Sequence, residues 1–199
     1  AVLSRFIAPL GEKALPLYRL LRRTEHFEWT DAATAGLDEI KTLLASNPVL
    51  TAPNTGEPML LYIAATHQVV SAVLVVEREA DGHKFPLQKP VYYVSTVLTP
   101  CKSRYPHYQK IAYAVFMASR KLRHYFQECS ITVASEVPLN DIINNRDATG
   151  RIAKWAIELL PFDITYKPRR AIKSQVLADF VAKWTEAELP KEYGVYSNW

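Results

Sequence analysis

The feature that most constrains this chain is the stretch RYPHYQKIAYAVFMASRKLRHYF, residues 104–126. Its apolar residues fall at Tyr108, Ile111, Ala112, Val115, Phe116, Ala118, Leu122 and Phe126. That spacing is helical and makes one broad stripe. Lys110, Arg120, Lys121 and Arg123 are expected on the opposite side. The stretch contains no Gly, and Pro106 stands where a first helical turn tolerates it. Strand-like segments flank it, KPVYYVSTVL at 89–98 and SITVAS at 130–135. A long helix between strands must bury its stripe on a sheet, so the pattern predicts an α/β domain centred on this helix.

Hydrophobic residues make up 49% of the 199 and Gly only 6, so a real core is feasible and wholesale disorder is excluded. The length fits one full domain plus a smaller piece. A net charge of +4 permits a polyanionic partner without demanding one. Cys101 and Cys129 match no metal or redox spacing; they read as free thiols in a reducing compartment, with one disulfide as the alternative. No apolar run approaches the ~18 residues of a spanning helix. The N-terminus AVLSRFIAPL lacks the basic region, apolar run and cleavage site of a signal peptide. It begins in mid-helix pattern without an initiator Met, so a segment cut from a longer chain is expected.

Residues 2–23 predict two short helices, VLSRFI and EKALPLYRLLRR, broken at Pro9-Leu10-Gly11. The second ends in Arg19, Arg22 and Arg23, where the helix dipole favours cations. DAATAGLDEIKTLLAS predicts a helix capped by Thr30 or Asp31, with Ala35, Leu37, Ile40, Leu43 and Leu44 inward. NPVLTAPNTGEP is a connector and the best domain boundary. From Pro58 the pattern turns to β. MLLYIAAT and QVVSAVLVVERE are strands, DGHKFPLQK a turn region, and PVYYVSTVL a third strand. The first two are continuous apolar runs, which predicts burial on both faces. ITVAS is the fourth strand, Pro138 opens the short helix LNDIINN, and Thr149 or Asp147 caps GRIAKWAIELLP. That helix carries a stripe of Ile152, Trp155, Ala156, Leu159 and Leu160. FDITYKP is the fifth strand and KSQVLADFVAKW, 173–184, the last helix. The order β-β-β-α-β-α-α-β-α suits an antiparallel meander of three strands, with the fourth and fifth as parallel neighbours.

Several segments carry a resemblance. LSRFIAPLGEKALPLYRLLRRTEHFEWTDAATAGLDEIKTLLASNPVLTAP looks like the end of a reverse transcriptase, its thumb and tether. KPVYYVSTVLTPCKSRYPHYQKIAYAVFMASRKLRHYF is similar to a "P-Y-S-L-T…Y…EK" strand and helix, and GRIAKWAIELLPFDITYKPRRAIKSQVLADF to an "R-W-L-FDI-Y-P…ADA" signature. Together they resemble the ribonuclease H-like domain of gypsy-type retrotransposon reverse transcriptases, with plant elements closest. The resemblance implies an α/β ribonuclease H-like fold, a five-stranded mixed sheet flanked by helices and preceded by a helical segment. It divides the chain into a thumb/tether at 1–53, the ribonuclease H-like domain at 54–185, and a linker with the start of a truncated following domain at 186–199.

Ribonucleases H of this family cut the RNA strand of an RNA–DNA hybrid with two Mg²⁺ ions held by Asp, Glu, Asp and Asp. Carried over by motif, the first Asp, of "T-D-A-S", falls on Ala64 and the Glu, of "E-K-E-L-L-A", on Ile111. The third position, in "T-D-x-x-L", falls on Glu136, one methylene longer, and the fourth on Asp179, intact. Two of four ligands are thus absent, so no metal site is expected, and Mg²⁺ enters only if Glu136 and Asp179 keep a residual catalytic role. The alternative makes Asp179 a helix cap or salt-bridge partner and Glu136 a solvated strand end. His107 and His124, near the two ends of the central helix, read as surface or capping residues. The polymerase's Asp-Asp strand motif is absent. KEYGVYSNW looks like the first strand of a second, tandem ribonuclease H domain, which implies that this chain is the non-catalytic copy.

The function expected is a connection scaffold between polymerase and downstream ribonuclease H parts of one polyprotein. Its further partner is RNA–DNA hybrid or DNA duplex, with no membrane, in a cytoplasmic virus-like particle or the nucleus. Basic residues cluster at Arg19/Arg22/Arg23, Lys102/Arg104, Arg120/Lys121/Arg123 and Lys167/Arg169/Arg170/Lys173. Duplexes of this kind are gripped mainly through phosphates. KPRRAIK, with Tyr166 beside it, is the best phosphate contact; a solvated loop is its alternative. Two other functions stay open. One is a weak Mg²⁺-dependent hybrid ribonuclease using Glu136 and Asp179. The other is a host-reused protein-interaction module presenting Tyr193, Tyr196 and Trp199.

Overall fold

Two strands without polar alternation need cover on both faces, and the chain builds its core around them. The computed structural model describes residues 10–21, 28–45, 50–79, 86–145 and 149–169. Helices α1 (Leu10–Lys13), α2 (Leu15–Leu21) and α3 (Asp31–Ala45) come first, then strands β1 (Met59–Ala65), β2 (Val69–Arg78) and β3 (Leu87–Val97). They are followed by α4 (Pro100–Ser103), α5 (His107–Lys121), α6 (Arg123–Glu128), β4 (Ile131–Ser135), α7 (Leu139–Ile143), α8 (Gly150–Leu159) and β5 (Ile164–Pro168). Among the described residues the strands form one five-stranded sheet of order β3-β2-β1-β4-β5. β1, β2 and β3 are the antiparallel meander; β4 lies parallel to β1, and β5 parallel to β4. This is the mixed sheet of a ribonuclease H-like fold. The last predicted helix, 173–184, and the first, VLSRFI, fall outside the described residues.

One face of the sheet meets α5. Met59, Leu61, Ile63 and Ala65 of β1 and Val70, Ala72, Leu74 and Val76 of β2 form the main core with Ile111, Val115 and Met117. The opposite face carries Tyr62, Ala64, Val73, Val75 and Tyr93, with Leu50 packed against it. Both faces are apolar, which is why alternation is missing from the sequence of β1 and β2.

Helix α5 departs from the amphipathic expectation. Every residue from Lys110 to Ser119 is buried. The reason is a second cover: Trp155 of α8 packs on Tyr113 and Phe116, with ring centroids 5.6 and 5.9 Å apart, and on Tyr105 at 6.2 Å. Lys110 is therefore not on a solvent face. It is 5% exposed, and its Nζ donates to the carbonyls of Thr66 at 3.2 Å and His67 at 3.4 Å, closing the β1–β2 turn. Lys102 likewise turns inward, donating to Tyr113 Oη at 2.8 Å. The predicted single helix is also interrupted: Leu122 (φ −113°, ψ 31°) ends α5, and a separate helix α6, which buries Phe126, begins at Arg123. Pro106 is the residue just before α5, its carbonyl accepting from the N–H groups of Gln109 and Lys110.

Other boundaries shift for local reasons. Leu10 and Gly11 are helical instead of a break; the interruption falls at Ala14. Gly11 lies so close to the sheet that a Cβ would sit 2.2 Å from Ser95 Oγ, and its N–H donates to that hydroxyl at 3.1 Å. Ser71 Oγ donates to the same oxygen from β2 at 3.1 Å. On α3, Thr30 is the cap, its Oγ1 accepting from Ala33 N–H at 3.3 Å. The inward stripe of α3 is Ala33, Gly36 and Ile40, while Ala35 is exposed, because Gly36 is where the helix meets the Lys13 carbonyl. β3 begins at Leu87, inside the segment read as a turn, since Gln88 pairs across to Glu77 and donates to Tyr62 Oη at 2.8 Å. Leu160 is 75% exposed, outside the buried stripe of Trp155 and Leu159.

The connector before β1 is held by charge. Arg78 Nε and one Arg78 NH₂ grip the two Glu57 carboxylate oxygens at 2.8 Å each, and Asn54 N–H donates to the same carboxylate at 2.8 Å. Gly56, at φ +70°, supplies the turn that brings Glu57 into place. The Arg78 hydrogen bond, then the Asn54 amide, draw the Glu57 carboxyl down to about 2 from an ordinary 4.5.

Two outcomes follow from this packing. Trp155→Ala should lower stability by about 3–5 kcal/mol in denaturant melts, since it opens a cavity against α5. Because the Glu57 pKa is depressed on folding, its stabilising contribution is present above about pH 4.5 and lost as pH falls toward 2. Denaturant midpoints measured from pH 6 to pH 2 should therefore fall less steeply in Glu57→Gln than in the parent chain.

Candidate nucleic-acid interface

Parallel strands β1, β4 and β5 bring their C-terminal ends to one end of the sheet, the usual place for a ligand crevice in mixed α/β sheets. Glu136 follows β4, Arg169 follows β5, and His107 opens α5 at the same corner. One Glu136 carboxylate oxygen lies 3.4 Å from His107 Nε2, and the other 3.5 Å from an Arg169 guanidinium nitrogen. The Arg169 N–H donates to the Ser135 carbonyl at 3.0 Å, which fixes Arg169 over β4. Glu136 is thus a half-exposed carboxylate whose two oxygens each face a basic group.

The β1–β4 register pairs Tyr62 with Ala134, and two further steps bring Ala64 level with Glu136. Ala64 is 2% exposed and sits on the sheet face opposite α5. Ile111 is also 2% exposed and belongs to the main core on the α5 face. Neither side chain carries a ligand atom. Mg²⁺ takes hard oxygen donors and strict octahedral geometry. Among the described residues no three His, Cys, Asp or Glu gather to hold a metal ion. Asp179, Arg170 and Lys173 lie outside the described residues.

The basic residues divide into two groups. Lys167, exposed on β5, stands beside Arg169 at the strand ends. Tyr166 packs inward against the main core, and burial pushes its phenol up to about 12. It is therefore a wall of the corner and not an exposed stacking ring. Arg120 and Arg123 lie at the other end of α5, about 20 Å along the helix axis from His107. Arg120 lies 3.9 Å from Glu158 and over the Phe116 ring at 5.5 Å. Lys121 Nζ donates to the Ser95 carbonyl at 3.1 Å and Thr96 Oγ1 at 2.7 Å, on edge strand β3. His67 and Gln68, in the β1–β2 turn, share a groove with Arg19 and Lys121. Sequence reading passed over both, since no spacing links residue 19 to residues 67 and 121. Cys101 is exposed and Cys129 buried, and both are free thiols.

Residues 29–133, more than half of the chain, match the family described as the RNase H-like domain found in reverse transcriptase. The chain belongs to that family. It is also related to a retrotransposon polyprotein, the Transposon Tf2-3 polyprotein of Schizosaccharomyces pombe, with 26% identity over 182 residues. That match covers 85% of this chain and 13% of the polyprotein, so the RNase H-like chain spans about an eighth of the curated relatives it matches. Among solved structures it resembles the foamy viral protease-reverse transcriptase in complex with RNA/DNA hybrid, at a TM-score of 0.69 and 20% identity, over 99% of this chain and 25% of that one. The same viral protein in complex with double-stranded DNA gives a TM-score of 0.67 at 20% identity, over 87% of this chain and 31% of that one. At that identity the likeness establishes the fold.

The position corresponding to the family's helical Glu can be tested directly. Ile111→Glu places a carboxyl in the main core and should destabilise the RNase H-like domain by about 3–5 kcal/mol, measured by urea unfolding at pH 7.

Proposed function

We propose that this chain is a non-catalytic connection module of a gypsy-type plant retrotransposon reverse transcriptase. It joins a polymerase to a downstream ribonuclease H and holds RNA–DNA or DNA duplex between them. The division proposed is a thumb/tether at 1–53, the RNase H-like domain at 54–185, and a linker with the start of a following domain at 186–199. Its setting is a cytoplasmic virus-like particle or the nucleus.

The observation that carries this reading is the state of the strand-end corner. The carboxylate at Glu136 faces Arg169 and His107, while two positions matched by motif to family carboxylates hold a methyl group at Ala64 and a butyl group at Ile111, buried on opposite faces of the sheet. A corner so composed favours an anion reached through Lys167 and Arg169 over a divalent cation. The viral structures of similar fold hold double-stranded DNA and RNA/DNA hybrid, which supports a duplex partner. Phosphate contacts are assigned to Lys167, Arg169, Arg170 and Lys173 at one end and to Arg120 and Arg123 at the other. Such contacts set position along a duplex and read little sequence.

The test is hybrid-duplex binding with and without Mg²⁺. Affinity should be independent of Mg²⁺ at constant ionic strength and fall steeply with salt. Lys167→Gln should reduce the slope of log K against log salt by about 0.9. Hybrid RNA should stay intact at high protein concentration. Mg²⁺-dependent cleavage that disappears in Asp179→Ala would replace this reading with that of a weak nuclease.

A further inference from the structure

The N-terminal helices meet the edge of the sheet across a groove of about 590 Å³. Tyr18, Arg19, His67, Gln68, Ser95 and Lys121 line it, and among the described residues no Asp or Glu does. Its size is that of sites that take small organic groups such as a nucleotide.

Among the described residues its cations have no carboxylate partner. Arg19 donates to Gln68 Oε1 at 3.3 Å, a neutral acceptor. Both acceptors of Lys121, the Ser95 carbonyl and the Thr96 hydroxyl, are neutral as well. Neither side chain has a carboxylate partner among the described residues. Partial burial without a counter-charge holds the Lys121 ammonium below its ordinary pKa. An anion entering the groove would relieve that penalty. Beside Arg19, Tyr18 is 45% exposed, a large ring left open to solvent on the groove wall.

Two cations and an open aromatic ring match a ligand that carries phosphates and a flat apolar face. We propose that this groove binds a single-stranded segment of nucleic acid, with phosphates on Arg19 and Lys121 and a base stacked on Tyr18. A duplex keeps its bases paired and stacked on each other, so the ring selects an unpaired strand. The site is distinct from the strand-end corner in its residues: Glu136, Lys167 and Arg169 do not line the groove.

The experiment is fluorescence anisotropy on the full 199-residue chain, with a labelled oligothymidylate and a blunt RNA–DNA hybrid as probes, and tripolyphosphate as competitor. Tyr18→Ala should weaken oligothymidylate binding about tenfold. Lys121→Gln should weaken it and lower its salt slope by about 0.7. Hybrid affinity should change less than about twofold in both variants. Lys167→Gln should do the reverse, so a failure of the duplex reading and a failure of this one are distinguishable. Neither groove side chain belongs to the buried core, and equal thermal midpoints will show that the variants fold. Three results would overturn the proposal: no binding of oligothymidylate, equal loss of hybrid and single strand in both groove variants, or an unchanged Tyr18→Ala with tripolyphosphate still competing. The last would identify a free-anion site without base stacking.

Discussion

The burial of α5 between the sheet and Trp155 is the contact on which the other parts depend. The helix offers Ile111, Val115 and Met117 to the main core, and each such side chain contributes roughly 1.5–3 kcal/mol when fully buried. That sum is large enough to carry Lys110 into the interior, where two backbone carbonyls take the place of water around its ammonium. Once α5 is fixed, so is the β1–β2 turn that Lys110 closes. Its two ends then set two separate chemistries, His107 at the strand-end corner and Lys121 at the edge of β3.

Those two ends differ in how charge is balanced. At the corner, Glu136 has a guanidinium and an imidazole within 3.5 Å, so its charge is already met. At the β3 edge, Lys121 has only neutral acceptors, and Arg19 bonds to an amide. An anion approaching the first place competes with a carboxylate; at the second it meets none. This asymmetry separates a corner where Arg169 lies beside a carboxylate from a groove where, among the described residues, Arg19 and Lys121 do not.

Ala64 and Ile111 show how the same fold can be retained with a different corner. A carboxylate cluster in an α/β sheet destabilises the apo protein by mutual repulsion, which bound cations offset. With a methyl at Ala64 and a branched aliphatic at Ile111, both positions join buried clusters and contribute to packing instead. Ile111 thereby packs α5 on one face of the sheet, and Ala64 packs on the other.

Much of this was legible along the chain. The helical stripe of 104–126, the unbroken apolar runs of β1 and β2, and the helices between β3, β4 and β5 sufficed for a mixed sheet of this topology, because period and connection length are local properties. What residue spacing does not contain is the second cover on α5, the inward turn of Lys110 and Lys102, and the break at Leu122. Each depends on where Trp155, Thr66 or Tyr113 arrives in space. The pairing of Glu136 with Arg169 and the meeting of Arg19 with Lys121 join residues tens of positions apart. Sequence by itself thus determined which elements form, since these reside in single residues and short repeats. Tertiary structure alone decided which charges are met and which are left open, because the energy of a charge depends on its neighbours in space and on its access to water.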